Sequence, residues 1–151
     1  MKCLIVPILV FATGISDALP VEIERWLDAA RSVRERAYAP YSQFKVGAAL
    51  IAADGRIFTG CNVENISFGL TMCAERVAIG RAIAEGATDF IAIAIMADTA
   101  FPVSPCGACR QVLAEFNPQL PIHLGTLDGA VETFHLTELL PRASTGILDR
   151  P

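Results

Sequence analysis

Three thiols and one acid constrain this chain more than anything else in it. Cys73-Ala74-Glu75-Arg76 is followed, thirty-three residues after its cysteine, by Pro105-Cys106-Gly107-Ala108-Cys109. If Cys73, Cys106 and Cys109 share a purpose, the fold must bring two distant segments together. Three thiolates can hold zinc and leave its fourth tetrahedral position to water, and a carboxylate beside that water can shuttle protons. Buried structural thiols and a dithiol redox pair are the competing readings, although a C-x-x-C redox pair has no use for Cys73 or Glu75. A purely structural zinc site would require a fourth protein ligand. His123 and His135 fall on expected strands, Cys3 and Cys61 lack ligand spacing, and Cys61 reads as a small core hydrophobe.

Spacing also dictates local geometry. Cys106 and Cys109, three apart at a helix start, can point to one side of the first turn. Cys73 and Glu75, two apart, would lie on opposed faces of a regular helix, so the metal reading requires Cys73 to stand at the helix end. Both ligand segments then present helix N-termini, whose free N–H groups and positive dipole ends favour thiolate. Three thiolates around a divalent cation leave excess negative charge. Arg76 is the candidate to offset it by donating to a cysteine sulfur, the alternative being a solvent-facing helix arginine.

Hydrophobic periodicity surrounds these motifs with an α/β pattern. Ile23, Trp26, Leu27, Ala30, Val33 and Ala37 recur at helical spacing, with Glu22, Glu24, Arg31 and Arg34 between them. Pro20 suits a helix start and Pro40 disfavours helix at Ala39, so this element is expected to end near Tyr38. Residues 44–52 and 56–61 read as strands joined at Asp54-Gly55, with Gly47 inside the first marking a close approach. A polar loop over 62–72 delivers a helix from Cys73 to about Glu85, stopped by Gly86. Residues 90–97 are almost continuously apolar, as in a strand buried on both faces. The helix carrying Cys106 and Cys109 stops before Pro118, two short strands follow over 121–124 and 131–135, and Thr137 is expected to cap a last helical turn. Interleaved helices and five strands imply an α/β fold with helices covering a mixed sheet.

The length, 151 residues, suits one domain over residues 20–143. Residues 144–151 read as a tail. Residues 1–19 imitate a secretory signal, with Lys2, an apolar run and the small residues Ser16 and Ala18, or else represent an upstream start or loose extension. That stretch is too short and too interrupted to span a bilayer. Five cysteines without scaffold spacing point to a reducing, cytoplasmic compartment. The net charge of -4 and the lack of a basic stripe argue against nucleic acid as partner and favour a small molecule. An apolar share of 53% hints at an extra face buried between subunits.

In unbroken order from about Leu27 to Leu140, the chain resembles the cytidine deaminases. The resemblance rests on Ala39-Pro40-Tyr41-Ser42 with Phe44 and Val46-Gly47-Ala48-Ala49-Leu50, on Asn62-Val63-Glu64-Asn65, and on Cys73-Ala74-Glu75-Arg76. It continues through Ser104-Pro105-Cys106-Gly107-Ala108-Cys109-Arg110-Gln111 to Glu138-Leu139-Leu140-Pro141. It implies a three-layer α/β/α sandwich, one zinc per subunit on Cys73, Cys106 and Cys109, and a homotetramer with active sites at subunit interfaces. It further implies hydrolytic deamination of cytidine and deoxycytidine, with Glu75 moving the protons. In the same way Ala74 would hold the 2-oxo group through its N–H and Ser104 the amino group through its carbonyl. Phe44 would pack beside the base, while Asn62 and Glu64 read the sugar 3′-hydroxyl. Two positions depart from the family pattern: Ser144 stands where a phenylalanine is common, and Phe68 where a tyrosine is frequent. A modified or antibiotic aminopyrimidine nucleoside is therefore an alternative substrate, and a zinc-stabilised binding protein without catalysis is an alternative of another class.

Overall fold

The structure, a computed structural model, describes residues 20–143. The possible signal at 1–19 and the departure at Ser144 lie outside the described residues. Five strands form one sheet in the order β2-β1-β3-β4-β5. In chain order they are β1 (Val46–Ala52), β2 (Ile57–Cys61), β3 (Phe90–Ala97), β4 (Pro121–Thr126) and β5 (Val131–His135). The helices are α1 (Val21–Arg34), α2 (Ala74–Ala84), α3 (Gly107–Phe116) and the single turn α4 (Leu136–Leu139), with a 3-10 turn over Phe68–Leu70.

The sheet is mixed because its connections differ in length. The Asp54-Gly55 turn is tight enough to make β1 and β2 an antiparallel hairpin, with Ala48 opposite Gly60. β1 is antiparallel to β3 as well. β3 reaches β4 only through α3, and that crossover makes the pair parallel, with Ile95 opposite Leu124. Strand alternation sorts side chains into two cores. Ala48, Leu50, Phe58, Ile93, Ile95, Ile122 and Leu124 face the side covered by α2 and α3. Ala49, Ala94 and Met96 face α1, meeting Leu27 and Ala30. The result is the expected three-layer α/β/α sandwich.

Glycines set the distance between layers. A Cβ on Gly47 would stand 2.0 Å from the Ala30 carbonyl oxygen, so α1 lies directly against β1. On the opposite face, a Cβ on Gly60 would stand 2.4 Å from both the Ala74 oxygen and the Ala78 nitrogen, which seats the start of α2 on β2.

Several boundaries differ from the sequence-based expectation. α1 ends at Arg34 rather than near Tyr38, because the Tyr38 N–H donates to the Asn62 carbonyl and pairs with a distant segment. Arg34, expected among solvent-facing residues, is buried: its Nε donates to the Lys45 carbonyl at 3.1 Å and its Nη1 meets Glu35 at 2.6 Å. β1 starts at Val46, leaving Phe44 in the preceding loop. His135, not Thr137, caps α4, and its N–H donates to the Glu138 carboxylate at 2.5 Å. Among the described residues no helix is long and apolar enough to cross a membrane.

Candidate active site

Cys73 is the N-cap of α2, with extended backbone angles of φ -71° and ψ 152°. That conformation removes it from the helical register, so the two-residue offset to Glu75 no longer forces the pair onto opposed faces. Cys106 occupies the equivalent place at α3, again extended at φ -65° and ψ 163°, and Cys109 is fully buried in the first turn. The three Sγ atoms lie within 4.8 Å of one another, and those of Cys73 and Cys106 are 3.9 Å apart. Sulfurs bound tetrahedrally to zinc at 2.3 Å sit about 3.8 Å apart, whereas a disulfide would need about 2 Å. The donor set therefore fits a zinc ion with one coordination position left open.

Neighbouring side chains hold this arrangement. Arg76 Nη2 donates to the Thr71 carbonyl at 3.0 Å and lies 3.8 Å from the Cys73 sulfur, while its buried Nε has no acceptor. The guanidinium thus faces the Cys73 thiol, the placement that a charge-offsetting role would require. Arg110 donates through Nε to the Pro105 carbonyl at 2.7 Å and through Nη1 to the Leu139 carbonyl at 2.9 Å. It fixes the loop just before Cys106 against α4.

Electrostatics favours thiolate at Cys73. The Cys109 thiol donating to it, with help from Arg76 and Cys106, holds Cys73 down to about 5. Cys109, whose thiol proton is the one donated in that pair, is pushed well above the ordinary thiol range. Metal ligation releases that proton, because the ligand form is thiolate. Glu75 is only 4% exposed. Desolvation raises its pKa and the negative Cys73 adds to this, while backbone hydrogen bonding, Cys109 and Arg76 oppose it. Such an acid is poised nearer to neutrality than a surface glutamate.

A cavity of about 330 Å³ opens beside the thiols at the carboxyl end of β3. It is lined by Phe44, Asn62, Glu64, Ala74 and Ser104 together with Cys73, Glu75 and Cys106. Cys109 and Arg76 stand behind this wall. Asn62 and Glu64 also tie the loop before β1 in place. Asn62 Oδ1 accepts from the Val46 N–H and its Nδ2 donates to the Phe44 carbonyl, both at 2.8 Å. Glu64 Oε2 accepts from the Tyr41 and Ser42 N–H groups at 2.8 and 3.2 Å, and Oε1 accepts from the Ser42 hydroxyl. Sequence reasoning gave no role to Ser42, Val46, Thr71, Ile95 or Val103, which complete the lining. A serine two residues before an aromatic at a loop exit was the available signal for Ser42. The other four belong to ordinary strand and loop text.

Residues 20–122 match the family described as the cytidine and deoxycytidylate deaminase zinc-binding region. The chain belongs to this family. The cytidine deaminase of Sporosarcina psychrophila is 49% identical over 124 residues, covering 82% of this chain and 91% of that protein. That of Halalkalibacterium halodurans is 54% identical over 113 residues, or 74% and 86% of the two chains. Among solved structures, the cytidine deaminase of Burkholderia pseudomallei superposes with a TM-score of 0.77 at 50% identity, covering 80% of this chain and 97% of its own. The α/β/α fold and a thiol cluster compatible with a zinc ion are thus those of a deaminase-family member. His123 and His135, the remaining candidate ligands, lie elsewhere: His123 bonds Thr133 at 2.9 Å and His135 the Gln119 carbonyl at 3.2 Å.

Proposed function

We infer that this chain catalyses the hydrolytic deamination of cytidine and deoxycytidine to uridine and deoxyuridine, with release of ammonia. The observation that carries this reading is the buried Glu75 carboxyl, which lines a nucleoside-sized cavity together with Cys73 and Cys106, whose sulfurs converge with that of Cys109 just behind them. Zinc held by Cys73, Cys106 and Cys109 would supply an activated water for attack on C4 of the pyrimidine. Glu75 accepts that water's proton and delivers it to ring N3; it then takes the proton of the hydroxyl now on C4 and passes it to the amino group, which leaves as ammonia while the C4 carbonyl forms. A raised pKa suits one carboxyl to both directions of transfer.

The remaining residues orient the base and sugar. Ala74 is the first residue of α2, where a backbone N–H has no intrahelical partner and can hold the 2-oxo group. Ser104 offers its carbonyl to the amino group, Phe44 packs beside the ring, and Asn62 and Glu64 meet the sugar. The large side chains of Tyr41, Ile66, Phe68, Leu70, Met72 and Phe101 are exposed, and Tyr41 and Phe68 line a hollow that shares Ser42, Glu64 and Thr71 with the cavity. Large exposed apolar groups of this kind support a homotetramer whose sites are completed at subunit contacts. Four free cysteines among the described residues support work in a reducing cytoplasm.

Incubation of the pure protein with a panel of aminopyrimidine nucleosides, followed by ultraviolet absorbance with and without chelator, tests the reading. Chelator-sensitive loss of the cytidine band with stoichiometric ammonia is expected. Turnover of only a modified nucleoside would reassign the substrate, and zinc without any product would remove the enzyme reading.

A further inference from the structure

Ser42 sits between two groups that matter to the cavity without being one of the assigned ligand contacts. Its Oγ accepts from the Phe44 N–H at 3.0 Å and donates to Glu64 Oε1. The direction is forced, because the amide has only a donor to offer and an ionised carboxylate only acceptors. The adjacent Tyr41 and Ser42 N–H groups occupy Oε2 of the same carboxylate. The Ser42 hydroxyl, reinforced by those amides, lowers the Glu64 pKa and keeps the group ionised. A carboxylate has about four lone-pair sites, and three are taken here by the chain itself. One remains, so Glu64 can accept a single further hydrogen bond, and its orientation is fixed before any ligand arrives.

We propose that Ser42 is a positioning residue for sugar recognition: its hydroxyl locks the Glu64 carboxylate in the orientation that accepts one hydroxyl of the bound nucleoside, and ties that orientation to the placement of Phe44. The inference rests on the assignment of Glu64 to the sugar. The lock works because the serine is both acceptor and donor. Alanine would leave the Phe44 N–H without its acceptor and let Oε1 rotate toward solvent. Threonine would keep both bonds.

Two substrates that differ only at the 3′ position separate this role from a general structural one. Values of kcat/KM are measured for 2′-deoxycytidine and 2′,3′-dideoxycytidine with wild type, Ser42→Ala, Ser42→Thr, Ser42→Cys and Glu64→Gln. Loss of a hydrogen bond that organises a charged acceptor is expected to lower kcat/KM for 2′-deoxycytidine about tenfold in Ser42→Ala. The dideoxy substrate, with no 3′-hydroxyl to present, should be nearly unaffected, Ser42→Thr should recover wild-type discrimination, and the weakly donating thiol of Ser42→Cys should fall between. Equal losses on both substrates would reduce Ser42 to a structural residue and overturn the proposal, as would no loss on either. If Glu64→Gln separates the substrates and Ser42→Ala does not, the sugar assignment stands and the positioning role falls. If Glu64→Gln treats both alike, the sugar assignment itself fails.

Discussion

Replacing Gly60 by alanine should damage the active site by displacing the helix end that carries it. The added Cβ would lie 2.4 Å from the Ala74 oxygen and the Ala78 nitrogen, where ordinary contact begins at 3.4 Å. Both obstacles are backbone, so no side chain can swing aside, and the start of α2 must move outward by about 1 Å. That end of α2 carries Cys73 as its cap and Glu75 in its first turn. Overpacking of this kind costs about 1–3 kcal/mol, and in a domain of this size each kcal/mol lowers Tm by about 2–4 °C. A misplacement of about 1 Å at a catalytic group costs about a hundredfold in rate. Thermal melting and cytidine turnover, read on the same preparation, should show both effects. Gly80→Ala, in the same helix but with nothing within 4 Å, provides the contrast and should stabilise by about 0.5–1 kcal/mol. A folded Gly60→Ala protein with near wild-type kcat/KM would refute the claim that β2 sets the position of the catalytic helix end.

Glu75→Gln should retain zinc and fold while turnover falls by about 10²–10⁴-fold, since the amide cannot relay protons; near-normal rates would eliminate the shuttle. Because folding raises the Glu75 pKa, its ionisation destabilises the native state as pH rises above 4.5, so the glutamine variant should melt no lower than wild type at pH 8. Cys106→Ala should lose bound zinc, measured by atomic absorption, together with melting temperature, because ligation contributes to folding; full occupancy would contradict the ligand set. Burial, with a smaller contribution from His135, lowers the His123 pKa below 6.5, so the unfolded chain binds this proton more readily. Stability from this group should therefore be fully present above pH 6.5 and be lost as pH falls from there through the lower folded-state pKa. His123→Asn should flatten that part of the Tm profile, and an unchanged slope would show that His123 is not buried in its neutral form.

Legibility differed between local chemistry and long-range contact. The thiol spacing, the acid and the alternation of helix and strand lie in contiguous text, and α2, β3 and α3 begin and end close to where their caps, glycines and prolines place them. The end of α1 is not legible locally because it is set by Tyr38 pairing with Val63, a contact across more than twenty residues. Arg34 was misjudged for a related reason, since its burial depends on the Lys45 carbonyl and Asp98 arriving from other elements. In the cavity, the motif residues that carry chemistry were readable, whereas Ser42 and Thr71 and the apolar Val46, Ile95 and Val103 had no role in the sequence reading. Ile95 looks like any residue of a buried strand until the fold turns the end of β3 toward the thiols.

The amide of Asn62 has an evolutionary corollary. It is a cavity-wall residue that also splices the first N–H of β1 to the carbonyl of Phe44 two residues earlier. A replacement unable to make both bonds would leave two part-buried main-chain groups without their partner, a penalty of up to about 1–3 kcal/mol for each. Diversification of substrate range in such a scaffold is channelled toward lining positions without polar obligations, Val103 among them, and away from the residue that at first sight offers the most direct route to change.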